Sequence, residues 1–122
     1  MTAAALLAAM ILVESGGDPR AVNAAEDAAG VLQIRPVLVA DVNRILAAPV
    51  FAERDRFCPA ASREMWRVYL GHYGRRYERL TGRPMDAEAA ARMWCGGPDG
   101  WRKAGTDDYW RRVQRAAGTQ RR

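Results

Sequence analysis

The sequence predicts a mainly α domain of about five helices. Apolar residues recur at spacings of three and four along most of the 122-residue chain, and no segment alternates convincingly as a strand does. The chain is 49% hydrophobic and 27% charged, which argues against disorder and favours a single domain over residues 1–122. Two cysteines and one histidine are too few for the usual structural zinc site, so we expect no metal and no cofactor.

The first two helices are predicted from their ends as well as from their apolar residues. Thr2 can cap a helix that continues to about Ser15, where two glycines and Pro19 end it. Residues 18–30 are small and polar, which predicts a loop or a short irregular ribbon. Pro36 suits the first turn of the second helix. The apolar residues of that helix are Val37, Val39, Val42, Ile45 and Leu46.

The last three helices are likewise predicted from their ends and from the spacing of their apolar residues. Aromatic and apolar residues recur at helical spacing over residues 60–80, which predicts one long helix. Asp86 can cap a fourth helix that ends near Cys95, before a glycine-rich loop. We expect Thr106 to cap the last helix and Gly118 to end it.

The charge of the chain is unevenly distributed. The net charge is +5, and residues 1–53 hold three basic and six acidic residues while residues 54–122 hold 16 and eight. Such a cationic surface suits nucleic acid, anionic lipid or an anionic wall polymer. A basic helical DNA-binding module is therefore one alternative. Against it, the arginines are spread over several helices and do not line one recognition helix.

The longest apolar stretch, residues 3–13, is too short to cross a membrane, which takes about 18 residues or more. No basic residue precedes it, so it is a poor secretion signal, and we expect any export signal to lie outside this sequence. Cys58 and Cys95 leave two alternatives open. An exported protein would favour a disulfide between them, and a cytosolic one would favour buried free thiols.

Glu14 is the candidate for acid–base chemistry. It follows an apolar run, precedes Gly16 and Gly17, and lies at the C-terminal end of its helix. Apolar neighbours and the negative end of the helix dipole both favour the protonated carboxyl. A general acid must hold its proton before it donates that proton to a leaving group. The alternative is an ordinary solvent-facing glutamate near a helix end.

Several separated motifs resemble those of the lysozyme-like lytic transglycosylases. Residues 14–19 read Glu-Ser-Gly-Gly-Asp-Pro and residues 30–34 read Gly-Val-Leu-Gln-Ile, close to the family's Glu-Ser, Asn/Asp-Pro and Gly-Leu-Met-Gln-Ile. Residues 94–98, Trp-Cys-Gly-Gly-Pro, are similar to the family's Tyr-Asn-Ala-Gly-Pro. The resemblance runs over about residues 4–115. It implies a lysozyme-like compact helical domain with a sugar-binding cleft.

Carried over by position, the resemblance makes Glu14 the catalytic acid. It places Asn23 near the reacting sugar and Gln33 along the saccharide groove. Trp94 stands where the family has a tyrosine that hydrogen-bonds near the acid, and Tyr109 is a candidate to supply the missing hydroxyl.

The implied reaction is cleavage of the β-1,4 bond between N-acetylmuramic acid and N-acetylglucosamine in peptidoglycan. Glu14 would protonate the bridging oxygen and then act as base, either on the sugar's own 6-hydroxyl or on water. Glu26 and Asp27 are candidates for a second carboxylate, which would favour the lysozyme reaction; the alternative is two solvated loop acids.

The resemblance also implies where the protein acts and on what. The expected partner is the peptidoglycan glycan strand, with no nucleic acid and no transmembrane segment, and we expect a monomer. The expected location is the periplasm, the cell wall or the exterior of the cell. A further alternative is a peptidoglycan-binding or structural protein that has the same fold and no catalytic activity.

Overall fold

The computed structural model describes residues 1–120 of the chain. Within them lie five α-helices and one two-stranded ribbon, so the predicted mainly α fold of about five helices is confirmed. The helices are α1 (Ala3–Ser15), α2 (Pro36–Leu46), α3 (Pro59–Thr81), α4 (Ala87–Gly96) and α5 (Asp107–Gln120). The strands are β1 (Val22–Asn23) and β2 (Ala28–Ala29), and short 3-10 helices cover Glu53–Phe57, Gly100–Arg102 and Ala104–Thr106.

Three of the predicted helix starts are confirmed in atomic detail. Thr2 Oγ1 accepts a hydrogen bond from the backbone of Ala5 at 3.1 Å, and Asp86 Oδ1 accepts one from Ala89 at 2.8 Å. Both side chains thereby satisfy a backbone N–H that the first turn of a helix leaves without a partner. Pro36 occupies the first turn of α2, as expected.

One prediction about α5 is wrong. Gly118 does not end the helix, which continues to Gln120, because a single glycine costs a helix interior only about 1 kcal/mol. Thr106 lies at the predicted position, directly before the first residue of α5. Its hydroxyl oxygen lies 2.8 Å from the carbonyl oxygens of both Gly100 and Lys103, so its single proton points to the loop before the helix. The capping hydrogen bond from the first turn of α5 stays a prediction.

The chain divides into two compact units. We call Glu14–Tyr69 the hairpin unit, because it contains the β1–β2 ribbon. We call Met1–Val13 together with the chain from Leu70 onward the helical unit.

In the helical unit, α4 packs against α5 and against the 3-10 helix Gly100–Arg102. Gly100 is required there, because a Cβ at this position would lie within 2.0 Å of the backbone oxygen of Arg92. The ring of Tyr77 meets Trp101 edge-on, with ring centroids 5.2 Å apart. The buried side of α5 carries Tyr109, Val113 and Ala117 at a spacing of four residues.

In the hairpin unit, the core is formed by the segment 28–34 together with residues of α2 and α3. Both residues of β1 are exposed, whereas both residues of β2 are buried. Gly30 is required where the ribbon meets the 3-10 helix Glu53–Phe57. A Cβ at Gly30 would lie 1.7 Å from the carbonyl oxygen of Arg56, and its φ of +84° favours glycine as well. The buried side chains of this core from α2 and α3 are Val39, Val42, Ser62, Met65, Trp66 and Tyr69.

Cys58 and Cys95 do not form a disulfide in the structure. Cys58 carries a free thiol and is exposed, and Cys95 is exposed as well. The expectation that unbridged thiols would be buried is wrong. Within residues 1–120, no helix has the length and apolar character needed to cross a membrane.

Candidate active site

Glu14 is the next-to-last residue of α1 and the first residue of the hairpin unit, and it is half-buried. The helix ends just after it because Gly16 and Gly17 adopt φ values of +66° and +89°. A Cβ added to either glycine would meet no atom within 4 Å, so the space around them is open. The candidate acid thus lies beside two residues whose surroundings are open within 4 Å.

Ser15 joins the end of α1 to the segment 30–34. Its Oγ donates a hydrogen bond to the carbonyl oxygen of Val31 at 2.8 Å and accepts one from the backbone N–H of Gly17 at 3.1 Å. The two front motifs of the sequence, which are 16 residues apart at this contact, therefore meet in the fold. The joint fixes the backbone next to Glu14.

The ribbon gathers three short segments side by side. Strands β1 and β2 are antiparallel, with Asn23 paired to Ala28. Ala29 then exchanges two backbone hydrogen bonds with Ile34, at 3.1 and 2.9 Å. Asn23, the residue predicted to approach the reacting sugar, is exposed on β1.

The side chain of Gln33 is hydrogen-bonded to the backbone in this structure. Its φ of +50° lies in the left-handed region, and its side chain is half-buried. Nε2 donates to the carbonyl oxygens of Ala21 and Gly30, at 3.1 and 3.0 Å. The amide group therefore braces the ribbon, and its predicted contact with the saccharide stays a prediction.

Glu26 and Asp27 lie in the turn between β1 and β2, and both are exposed. Their backbone oxygens accept hydrogen bonds from arginines: Glu26 from Arg35 Nε at 3.0 Å, and Asp27 from Arg56 Nη1 at 2.9 Å. Asp27 also approaches Arg56 through its carboxylate, with Oδ1 3.4 Å from Nη1. The turn that holds the two candidate carboxylates is thus fixed by arginines on both of its acidic residues.

Arg56 is the residue of this region that sequence reasoning missed. It lies in the 3-10 helix Glu53–Phe57 and is 8% exposed. Besides Asp27, its guanidinium donates to the carbonyl oxygens of Ile34 at 3.1 Å and Glu53 at 2.9 Å. Its own carbonyl oxygen accepts a hydrogen bond from the buried hydroxyl of Ser62 at 3.0 Å. No local sequence pattern distinguishes this arginine from its exposed neighbours, because its acceptors on the ribbon lie 22 and 29 residues away.

Trp94 and Tyr109, the remaining predicted substrate contacts, belong to the helical unit. Trp94 is half-buried in α4, and Tyr109 is buried in the first turn of α5. The guanidinium of Arg112 lies over the Tyr109 ring, 5.9 Å from its centroid. The structure therefore places Glu14, Asn23, Glu26, Asp27 and Gln33 in one unit and these two aromatic residues in the other.

The loop that follows Trp94 is held by charged side chains. Lys103 Nζ donates to the carbonyl oxygen of Gly96 at 2.7 Å. Asp99 Oδ1 lies 2.8 Å from Arg102 and 3.0 Å from Arg76. Hydrogen bonds first from Arg102 and then from Arg76 lower the pKa of Asp99 below its ordinary value. These contacts fix the chain just after the end of α4.

No metal centre is formed by the part of the chain that the structure describes, since no three His, Cys, Asp or Glu side chains group there as ligands would. The hairpin unit holds carboxyl, amide and hydroxyl side chains and the exposed thiol of Cys58.

Comparison with known proteins places the sequence in a family. The sequence model described as "Transglycosylase SLT domain" matches residues 1–112. A lysozyme of Meretrix lusoria is 37% identical over 59 residues, which make up 48% of this chain and 48% of that protein, so the chain spans about half the length of this relative.

One solved structure shares the fold. It is a chain of the crystal structure of Aeromonas hydrophila PliI in complex with Meretrix lusoria lysozyme, with a TM-score of 0.74. The match is 23% identical in sequence and covers 91% of this chain and 87% of that one, so it speaks to the fold alone. The predicted lysozyme-like helical fold is confirmed, and because the family model covers most of the sequence, the chain belongs to the transglycosylase SLT domain family.

Proposed function

We propose that this protein cleaves the β-1,4 bond between N-acetylmuramic acid and N-acetylglucosamine in peptidoglycan, with Glu14 as the general acid. The observation that carries this proposal is the hydrogen bond from Ser15 to Val31, which fixes the end of α1 against the Gly-Val-Leu-Gln-Ile segment. It supports a built site, because the two segments most typical of the family are held together beside the candidate acid.

The position of Glu14 suits proton donation. Its side chain is half-buried at the C-terminal end of α1, where the helix dipole is negative and disfavours a second negative charge. The two glycines after it leave open space at the helix end, which supports the approach of a glycan there. Glu14 would protonate the bridging oxygen as positive charge develops on the departing sugar carbon. The ionised carboxylate would then act as base.

The second step depends on what Glu14 deprotonates. Attack by the sugar's own 6-hydroxyl gives a 1,6-anhydro product, and attack by water gives a reducing end. A second carboxylate would support the water reaction. Asp27 is paired with Arg56 through both its backbone and its carboxylate, which supports an anchoring role for Asp27 and makes Glu26 the better candidate.

The other predicted residues take roles in substrate binding within this proposal. Asn23, Gln33, Trp94 and Tyr109 are the residues proposed to contact the glycan. The glycan strand is the proposed partner, the chain is proposed to work as one monomeric domain, and the place of action is the periplasm, the cell wall or the cell exterior. The predicted sugar-binding cleft belongs to the same proposal.

A second candidate function is glycan binding without cleavage. The feature that favours it is the start of the rear motif, residues 94–98, where Cys95 replaces the family's asparagine. Trp94 also offers only a donor where the family has a tyrosine hydroxyl.

The test is digestion of purified peptidoglycan followed by mass spectrometry of the released fragments. We expect wild type to release fragments and Glu14→Gln to release none, while its circular dichroism and melting temperature stay near wild type. Glu64→Gln, an exposed acid of the same unit, is the matched control and should keep activity. Anhydro products are lighter than hydrolysed products by one water, so the same spectra identify the reaction. Release by Glu14→Gln would refute the assignment, and binding of wild type without release would establish the second candidate.

A further inference from the structure

The positive charge of the chain is concentrated in the helical unit. The hairpin unit, Glu14–Tyr69, holds seven basic and eight acidic residues, whereas the rest of the chain holds 12 basic and six acidic residues. The unit that contains Glu14 is therefore nearly neutral, and the excess of arginine lies elsewhere. Proton donation by Glu14 does not explain this excess.

The acidic residues of the helical unit are largely used inside it. Arg92 holds Glu88 at 2.9 Å and Asp107 at 3.1 Å. Asp99 pairs with two arginines, and Asp86 caps α4. Few carboxylates are left to balance the arginines of α5.

One face of α5 is a row of arginines. Because the buried residues of α5 recur every four positions from Tyr109, the opposite side of the helix is centred between Arg111 and Arg115. We call the exposed residues Arg111, Arg112 and Arg115 the α5 arginine face. Within residues 1–120, neither Arg111 nor Arg112 takes part in an ion pair. Residues 109–122 include no acidic residue.

The chemistry of this face suits phosphate. Guanidinium groups bind phosphate through paired hydrogen bonds, whereas a lysine acts as a point charge, and 18 of the 19 basic residues of the chain are arginine. The position of Arg112 over the Tyr109 ring restricts its guanidinium before any ligand arrives.

We propose that the α5 arginine face docks the protein on phosphate-bearing polymers attached to the bacterial wall. The proposal rests on the proposed function, because a peptidoglycan substrate brings such polymers with it. In this proposal, Glu14 of the hairpin unit transfers the proton, and the α5 arginine face of the helical unit binds the protein to the wall. Binding through exposed charges is screened by salt, so docking weakens as ionic strength rises.

The test is co-sedimentation with wall sacculi that carry phosphodiester polymers, and with the same sacculi after acid has removed those polymers. All variants are made in the Glu14→Gln background, so that the wall is not degraded. The test variant is Arg111→Gln/Arg112→Gln. The control is Arg54→Gln/Arg67→Gln, which removes two exposed arginines of the hairpin unit and changes the net charge equally.

We expect the test variant to bind the untreated sacculi about fivefold more weakly than its parent, as two lost surface contacts would give. The control should differ less than about twofold, and the parent should bind stripped sacculi as weakly as the test variant does. All melting temperatures should agree, because these side chains are exposed.

Three results would overturn the proposal. Equal losses in the test and control variants would mean that net charge alone sets binding. Unchanged binding of the parent to stripped sacculi would exclude the phosphate polymer as the ligand. Retardation of random duplex DNA at the same salt, lost in the test variant, would assign the face to nucleic acid. Because Glu14→Gln cannot cleave in the proposed mechanism, failure of glycan cleavage and failure of docking remain separate outcomes.

Discussion

The side chain of Arg56 holds the carbonyl oxygen of Asp27 at 2.9 Å across 29 residues of sequence. The same nitrogen holds the carbonyl oxygen of Ile34 at 3.1 Å. One buried guanidinium therefore ties down both ends of the segment 27–34, which contains β2 and Gln33. Asp27 and the bracing Gln33 thus lie in a segment that is held by a residue outside the family-like motifs.

We expect Arg56→Lys to lower the free energy of unfolding by about 2 kcal/mol, because an ammonium cannot reproduce the several fixed hydrogen bonds of the guanidinium. The measurement is urea unfolding followed by circular dichroism. Arg54→Lys is the matched control: it lies in the same 3-10 helix and is exposed, so its effect should stay within about 0.5 kcal/mol. Equal stabilities of the two variants would show that the buried contacts of Arg56 carry little free energy.

Gly30→Ala tests the contact beneath the ribbon. The added methyl group would lie 1.7 Å from the carbonyl oxygen of Arg56. The backbone at residue 30 has a φ of +84°, which is unfavourable for alanine. Overpacking and backbone strain together predict a loss of about 3 kcal/mol or more in the free energy of unfolding. Gly82→Ala has a similar φ of +73° and open space, so strain alone should cost it about 1 kcal/mol. A Gly30→Ala variant no less stable than Gly82→Ala would contradict the close approach.

The sequence predicted those features that depend on local chemistry. The caps of Thr2 and Asp86 and the place of Pro36 each follow from residues within one helical turn, and all three are confirmed. What the sequence did not predict is a long-range partner. The role of Arg56 was missed because its acceptors, 22 and 29 residues away, are brought near it only by folding.

The candidate site shows the same division. Glu14 stood out because its apolar neighbours and following glycines are adjacent in sequence. The engagement of Gln33 by Ala21 was not predictable, because it depends on the ribbon closing over 12 residues. The sequence identified the side chains with suitable chemistry, whereas the backbone groups that orient them are visible only in the fold.

Asp99 should make stability depend on pH. Hydrogen bonds from Arg102 and then Arg76 lower the pKa of Asp99 below its ordinary value in the folded protein. A carboxyl whose pKa is lower when folded stabilises the protein fully above its unfolded pKa, and this contribution is lost as the pH falls through the folded pKa. Wild type should therefore exceed Asp99→Asn in stability above about pH 5, and the difference should fade in stronger acid.

The check is urea unfolding of wild type and Asp99→Asn across the acid range. In an Arg102→Gln background, which removes the largest cause of the lowered pKa, the difference should shrink at neutral pH. A difference that persists unchanged in strong acid would mean that the substitution acts through packing and not through the charge of Asp99.

Substitutions of Asp27 and Glu26 should affect the protein differently, because Asp27 is proposed to anchor the turn and Glu26 to take part in the reaction. Asp27→Asn leaves the backbone contact with Arg56 but removes the carboxylate charge 3.4 Å from the guanidinium. Because the Asp27 side chain is 69% exposed, we expect a loss of less than about 1 kcal/mol in the free energy of unfolding, with peptidoglycan cleavage nearly intact. Glu26→Gln should keep wild-type stability and lose most of any product that carries a reducing end. Quantitative mass spectrometry of the released fragments, at equal concentrations of folded protein, measures the cleavage activity of both variants.

Loss of activity in Asp27→Asn with full activity in Glu26→Gln would reverse the assignment. Full activity in both variants, with anhydro products, would mean that Glu14 works without a second carboxylate.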